Sequence, residues 1–184
     1  MKYELTNRTY NHFGIILHQI KALQSFGYIK SEDLGGWVQS VHNLSQGGNC
    51  WIYDNALVYQ NAIVKDDAQA RGECWIHNRA TIREHAIIKD KAIVQESCDC
   101  FGNSVICGEA FCCGESKIFE NAIISEQACI YGQVWVHGNA HAYGACHCFG
   151  SLEIEGEVRV RGCAKMWEGF YNKGCYEYWS EYVK

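Results

Sequence analysis

From Asn49 to Glu168 the chain repeats every six residues, twenty hexads without an insertion or a skipped position. Written from Asn49 they run NCWIYD NALVYQ NAIVKD DAQARG ECWIHN, and they are still in phase at EVRVRG CAKMWE. The second place is small (Ala56, Ala62, Ala68, Cys74, Ala80, Ala86, Ala92) and the fourth is Ile or Val (Ile52, Val58, Val64, Ile76, Ile82, Ile88, Val94). Sixth and first places hold Gly, Asp, Glu or Asn, the residues of tight turns. Side chains of a strand alternate faces, so places two and four share an interior, three and five point out, and six and one turn a corner. A corner every six residues closes the chain into a three-sided coil of 18, with residues 18 apart stacked about 4.8 Å above one another. The small second place suits three strands converging on a narrow axis, where large side chains would overpack.

The bulk properties narrow the function classes. A length of 184 residues suits one domain with short caps. A formal net charge of −5 argues against general nucleic-acid binding, which needs a basic face. No apolar run reaches membrane-spanning length. The start, MKYELTNRTYNHF, lacks the basic-then-apolar pattern of a signal peptide, so a cytoplasmic protein is expected, in the host cytoplasm if phage-encoded. The twelve Cys then read as reduced thiols. Seven of them (Cys50, Cys74, Cys98, Cys100, Cys112, Cys146, Cys148) fall on inward places, where a thiol packs as a small hydrophobe. Cys98-x-Cys100 and Cys146-x-Cys148 therefore read as core pairs before they read as ligands.

The unit Ile52-Tyr53-Asp54-Asn55-Ala56 resembles the hexapeptide-repeat, left-handed parallel β-helix family. The leader adds Leu17 through Phe26, Asp33-Leu34-Gly35-Gly36-Trp37-Val38 and Asn43-Leu44-Ser45-Gln46. It is similar to the small polymer-forming-type β-helix proteins of phages and prophages. The resemblance implies the left hand, a trimer, and a phage accessory role without defined chemistry. The expected architecture is all-β: capping strands over 1–36, a three-sided left-handed parallel β-helix of about seven coils over 37–168, and a short C-terminal helix over 169–184. Val38 and Leu44 fall on second places of the continued phase. The helix is expected from Cys175, Tyr178, Trp179 and Tyr182 at i, i+3, i+4, i+7.

Read at step 18, the outward third places form columns. One is Trp51, Gln69, Ile87, Val105, Ile123, His141, Arg159; the next is Leu57, Trp75, Ile93, Phe111, Cys129, His147, Lys165. Trp51, Leu57, Trp75, Ile87, Ile93, Val105, Phe111 and Ile123 thus make two apolar faces, and a homotrimer buries such faces. Both columns turn polar at the same height, where His141 and His147 are followed by Arg159 and Lys165. Arg161 and Tyr143 flank them, and Tyr131, Phe149 and Trp167 form a neighbouring aromatic ladder. Cations beside flat rings suit a phosphate joined to a base. A solvated end to the interface, with rings as cross-strand packing, is the plainer alternative.

The favoured expectation is a non-catalytic, ligand-binding homotrimer that sequesters a small anionic signal between subunits. The ligand is of cyclic or ADP-ribose nucleotide type, and the setting a phage anti-defence role. Two alternatives stand: an acyltransferase, the activity the resemblance brings to mind, and a structural or protein-binding solenoid. Acyl transfer needs a His base; no loop leaves the helix to build a site, His77 and His85 show no orienting carboxylate, and His141 and His147 stay candidates. No cofactor and no metal are expected, because His137, His141 and His147 point from three different faces of the prism.

Overall fold

The hexad folds as its alternation demands. A computed structural model describes residues 1–177. In it each hexad from Trp51–Ile52 to Ile123–Ile124 gives a two-residue strand at its third and fourth places. Every such strand pairs in parallel with the one 18 residues on: Ile87 with Val105, Ile93 with Phe111, Asp99 with Lys117. Higher up, one corner straightens, and Cys129–Val136 and His147–Ile154 run as continuous parallel strands with Gly132 opposite Gly150. One face stacks eight rungs, Trp37, Leu57, Trp75, Ile93, Phe111, Cys129, His147 and Lys165, so the prism has about eight coils. This is an all-β parallel β-helix, consistent with the left-handed type. Among the described residues no helix is long and apolar enough to cross a membrane.

Second and fourth places line the axis and are sealed from water along its length, from Cys50 and Ile52 to Val158 and Val160. The inward cysteines are free thiols, and Cys98 and Cys100 bring their sulfurs to 3.7 Å. Burial pushes the Cys74 thiol up to about 12 and raises Cys100 and Cys112 well above the ordinary thiol value; the hydrogen bond with Cys146, together with burial, does the same at Cys148. A thiol that cannot ionise is a poor ligand and a poor nucleophile, so these side chains are packing. Cys113, on an outward fifth place, is buried as well.

The corners carry their own ladder. Sixth-place residues adopt left-handed backbone, whether Gly or not: Gly102 has φ +68°, Glu84 +58°, Asp90 +62°. Carboxylates there accept the backbone N–H of the sixth place one coil above: Asp66 from Glu84, Glu84 from Gly102, Asp90 from Gly108, Glu120 from Gly138, at 2.8–3.1 Å. Each bond satisfies a corner amide that has no strand partner.

Strand β1 (Tyr3–His12) and strand β2 (Ile15–Ala22) form an antiparallel hairpin. β2 pairs antiparallel with β3 (Leu34–Val38), the first rung of one face. The hairpin hides the edge that the first rung would expose. Tyr3, Ile20 and Ala22 join the axial core, while Leu17 packs on Leu57 and Tyr59. The leader is out of the repeat's phase by two residues: Val38 lies opposite Val58 and Leu44 opposite Val64. Both therefore take fourth-place roles, not the second places expected. The two extra residues fall between Leu44 and Ile52, eight positions that face the six from Val64 to Ala70. The 3-10 turn at Val41–Asn43 lies in a corner of ordinary length, with the Asn43 amide donating to the carbonyls of Gln60 and Ala62 at 2.9 and 2.8 Å.

At the other end, Cys175–Tyr176 is a strand in parallel register with Arg159–Val160. The expected C-terminal helix is not formed there, because the last rung offers an open edge that a strand satisfies and a helix does not. Stacking therefore continues past residue 168. Tyr178, Trp179 and Tyr182 lie outside the described residues.

Candidate functional site

The polar upper coils place the expected site residues on two adjoining faces. His141 and Arg159 are opposite one another on one sheet, and His147 and Lys165 on the next. Tyr131 and Phe149 stack at 5.1 Å with planes 3° apart, and Trp167 follows at 6.3 Å, tilted by 34°. The His147 ring meets Tyr131 edge-on at 6.2 Å. The aromatic ladder is thus present, and Trp167 stays partly exposed at its end.

The arginines are engaged within the chain. Arg159 donates through one guanidinium nitrogen to the carbonyls of Asn139, Glu157 and Val158, and its other lies 3.5 Å from the Glu157 carboxylate. Arg161 pairs with Glu177 at 2.7 Å. Tyr143 and Glu177 bonding hold its guanidinium in the charged form. Neither is an unopposed charge waiting for an anion.

His141 is arranged for a different task. It is half-buried, its ring 4.4 Å from that of Tyr143, and its Nε2 is 2.8 Å from the Ser125 hydroxyl. Burial, assisted by the Arg159 charge, lowers its pKa below the ordinary imidazole value. A neutral imidazole with a fixed ring is the state a general base requires.

A second histidine escapes a reading of columns. His137 stacks on Phe119 at 4.4 Å and 7°, and Phe119 stacks on Phe101 at 4.8 Å. Its Nε2 lies 3.0 Å from Glu153 and 3.9 Å from Glu155, and its Nδ1 is 3.9 Å from Glu120. The His137–Glu153 pair is a diagonal one: a fifth-place residue meets the third place of the next coil, 16 positions on. Ser125–His141 and Arg83–Asp99 follow the same step. The signal was in the sequence, at step 16 rather than 18. His85, expected to lack an orienting carboxylate, has Asp67 at 3.7 Å, while His77 is stacked on Tyr59. Beside Glu153 opens a groove of about 680 Å³ bordered by Lys117, Trp135 and Phe170, with Lys117 4.6 Å above the Trp135 ring.

Of the residues expected at a subunit interface, Trp51 and Leu57 are only 1% and 5% exposed, because the chain's own leader covers them. Tyr3 and Phe26 meet the Trp51 ring edge-on, Leu17 covers Leu57, and His12 and Phe13 lie against Trp75. Ile87, Ile93, Val105 and Phe111 are half-buried, and Ile123 is exposed.

No protein-family model matches the chain. A curated relative, the "Uncharacterized acetyltransferase YdcK" of Escherichia coli (strain K12), is 35% identical over 60 residues, 32% of this chain and 18% of that protein. The match thus spans less than a fifth of the relative's length. With the stacked coils, it supports a β-helix repeat family of the hexapeptide type.

Proposed function

We propose that the protein is an acyl-transfer β-helix, assembled as a homotrimer, with His141 as the general base at a cleft between copies. The observation that carries this reading is the neutral, half-buried His141 imidazole fixed beside Ser125 at 2.8 Å. The acetyltransferase designation of the relative supports it. The site lies where the outward columns turn from Val105–Ile123 and Phe111–Cys129 to His141 and His147, at the edge of the surface a neighbouring copy would cover. In the reaction, His141 Nε2 takes the proton of an acceptor hydroxyl or amine, displacing the Ser125 hydroxyl. The freed heteroatom attacks the thioester carbonyl of an acetyl donor, the C–S bond breaks, and the proton passes to the departing thiolate.

The test follows coenzyme A release from acetyl-CoA by chromatography across a panel of amine and hydroxyl acceptors. A thiol-reactive dye is unsuitable, since exposed Cys163 and Cys175 would react with it. His141→Asn should lower turnover by about 100-fold or more, the usual share of a general base. Turnover unchanged in that variant removes His141 from the reaction.

A second reading rests on the Tyr131–Phe149 stack with Lys165 on the adjoining rung. It is binding without turnover of a nucleotide-type anion, as a phage protein that sequesters a host signal would do. Its weakness is that Arg159 and Arg161 already have carboxylate partners. Recovery of an intact nucleotide from denatured protein, with binding lost in Phe149→Ala, would favour it over acyl transfer.

A further inference from the structure

We infer that His137, Glu153 and Glu155 form a binding site for one divalent transition-metal ion, separate from His141 and independent of acyl transfer. The nitrogen and the two carboxylates belong to adjacent coils: His137 follows the strand Cys129–Val136, and Glu153 and Glu155 sit one coil above on and after His147–Ile154. One ligand atom from each residue lies within 4.8 Å of those of the other two. Nε2 stands 3.0 Å from Glu153 Oε1 and 3.9 Å from Glu155 Oε2. Ligands about 2.1 Å from a tetrahedral ion are about 3.4 Å from each other, so these two distances bracket the spacing such an ion imposes.

The imidazole is the fixed member. Its side chain is 12% exposed and lies flat on Phe119, which leaves Nε2 facing the two carboxylates. The glutamates are exposed by 39% and 37% and have room to close by rotation. Glu120 is anchored by accepting the Gly138 N–H at 2.8 Å and sits 3.9 Å from Nδ1. From there its charge favours a proton on Nδ1 once an ion occupies Nε2, as outer carboxylates do beside metal-bound imidazoles. Without an ion, Nε2–H donates to Glu153; on binding, the neutral ring changes tautomer, the proton passing through solvent to Nδ1 on the Glu120 side, so that Nε2 offers its lone pair to the ion. One nitrogen and two carboxylate oxygens suit Zn²⁺, Mn²⁺ or Co²⁺, whereas Mg²⁺ and Ca²⁺ prefer all-oxygen sets. A groove of about 680 Å³ lies alongside Glu153.

The test is equilibrium dialysis of the full chain against Zn²⁺, Mn²⁺ or Mg²⁺ under reducing conditions, with bound metal measured by mass spectrometry. One Zn²⁺ per chain is expected, with affinity reduced at least tenfold by Glu155→Gln and by His137→Gln. Glu120→Gln, a positioning change, should cost about tenfold. Thermal unfolding of metal-free Glu155→Gln checks that it folds as the parent does. Exposed Cys163 and Cys175 are the competing ligands. The Cys163→Ser/Cys175→Ser protein should keep its stoichiometry, and Co²⁺ should give visible d–d bands without a thiolate charge-transfer band. Zinc lost in the cysteine variant but retained in Glu155→Gln overturns the inference, as does no uptake at millimolar Zn²⁺.

Discussion

At the scale of single residues, burial of imidazoles sets a pH dependence. His12, His77 and His141 all have pKa values lowered by burial, with Arg159 adding to the effect at His141. In the unfolded chain these groups take up protons near about pH 6.5; in the folded chain they do so only at lower pH. Their stabilising effect is therefore complete above about pH 6.5 and falls as pH drops from there through the folded values. His141→Asn should flatten the change in urea midpoint between pH 7.5 and 5.5. In Arg159→Ala, the His141 ring should titrate at higher pH by NMR than in the parent. The corners set another residue-scale limit. A Cβ on Gly138 would stand 2.5 Å from the Gly156 nitrogen, at φ +69°. Gly138→Ala is expected to cost about 1–3 kcal/mol by urea titration. What the sequence discloses at this scale is the sorting of side chains in or out, because alternation depends on nothing but the strand. His137–Glu153 was hidden, because diagonal contacts depend on how side chains lean across the ladder, which a column of residues 18 apart does not represent.

At the scale of elements, the hairpin of β1 and β2 is both lid and first layer. Leu17 is fully buried against Leu57 and Tyr59. Leu17→Ala should destabilise the protein by about 2–5 kcal/mol, read from the denaturant midpoint. It should also raise light scattering on mild heating, as the β3 edge becomes available for intermolecular pairing. The repeat announced that a lid was needed but not where it would lie. Its course depends on Gly35 and Gly36, where a Cβ would stand 2.6 Å from backbone carbonyls of Ile52 and Ala56. It depends also on the Asn43 amide, which ties its corner to the coil above, and on the two extra residues between Leu44 and Ile52. The C-terminal strand was obscured for a related reason. Cys175 begins a helical spacing in the sequence, yet the exposed rung of Arg159–Val160 outweighs it.

At the scale of the whole molecule, the proposed trimer rests on Ile87, Val105 and Ile123 on one face and Ile93 and Phe111 on the next, with the N-terminal coils already covered by the leader. Val105→Asp should shift the mass measured by light scattering from trimer towards monomer while leaving the circular dichroism spectrum unchanged. An unaltered mass, or a monomeric parent, rules out this surface as the interface. Because the corner ladder joins each coil to the next at an interval of 18, the molecule can change length only in whole steps. Removing 91–108 would bring Glu109 after Asp90 and restore every column, lowering His141 by about 4.8 Å toward the leader. Removing six fewer residues would rotate everything above by one face and carry His141 to another side of the prism. Distance along the axis is thus counted in discrete units, and the coil number acts as a ruler that sets how far any upper-coil chemistry stands from the leader.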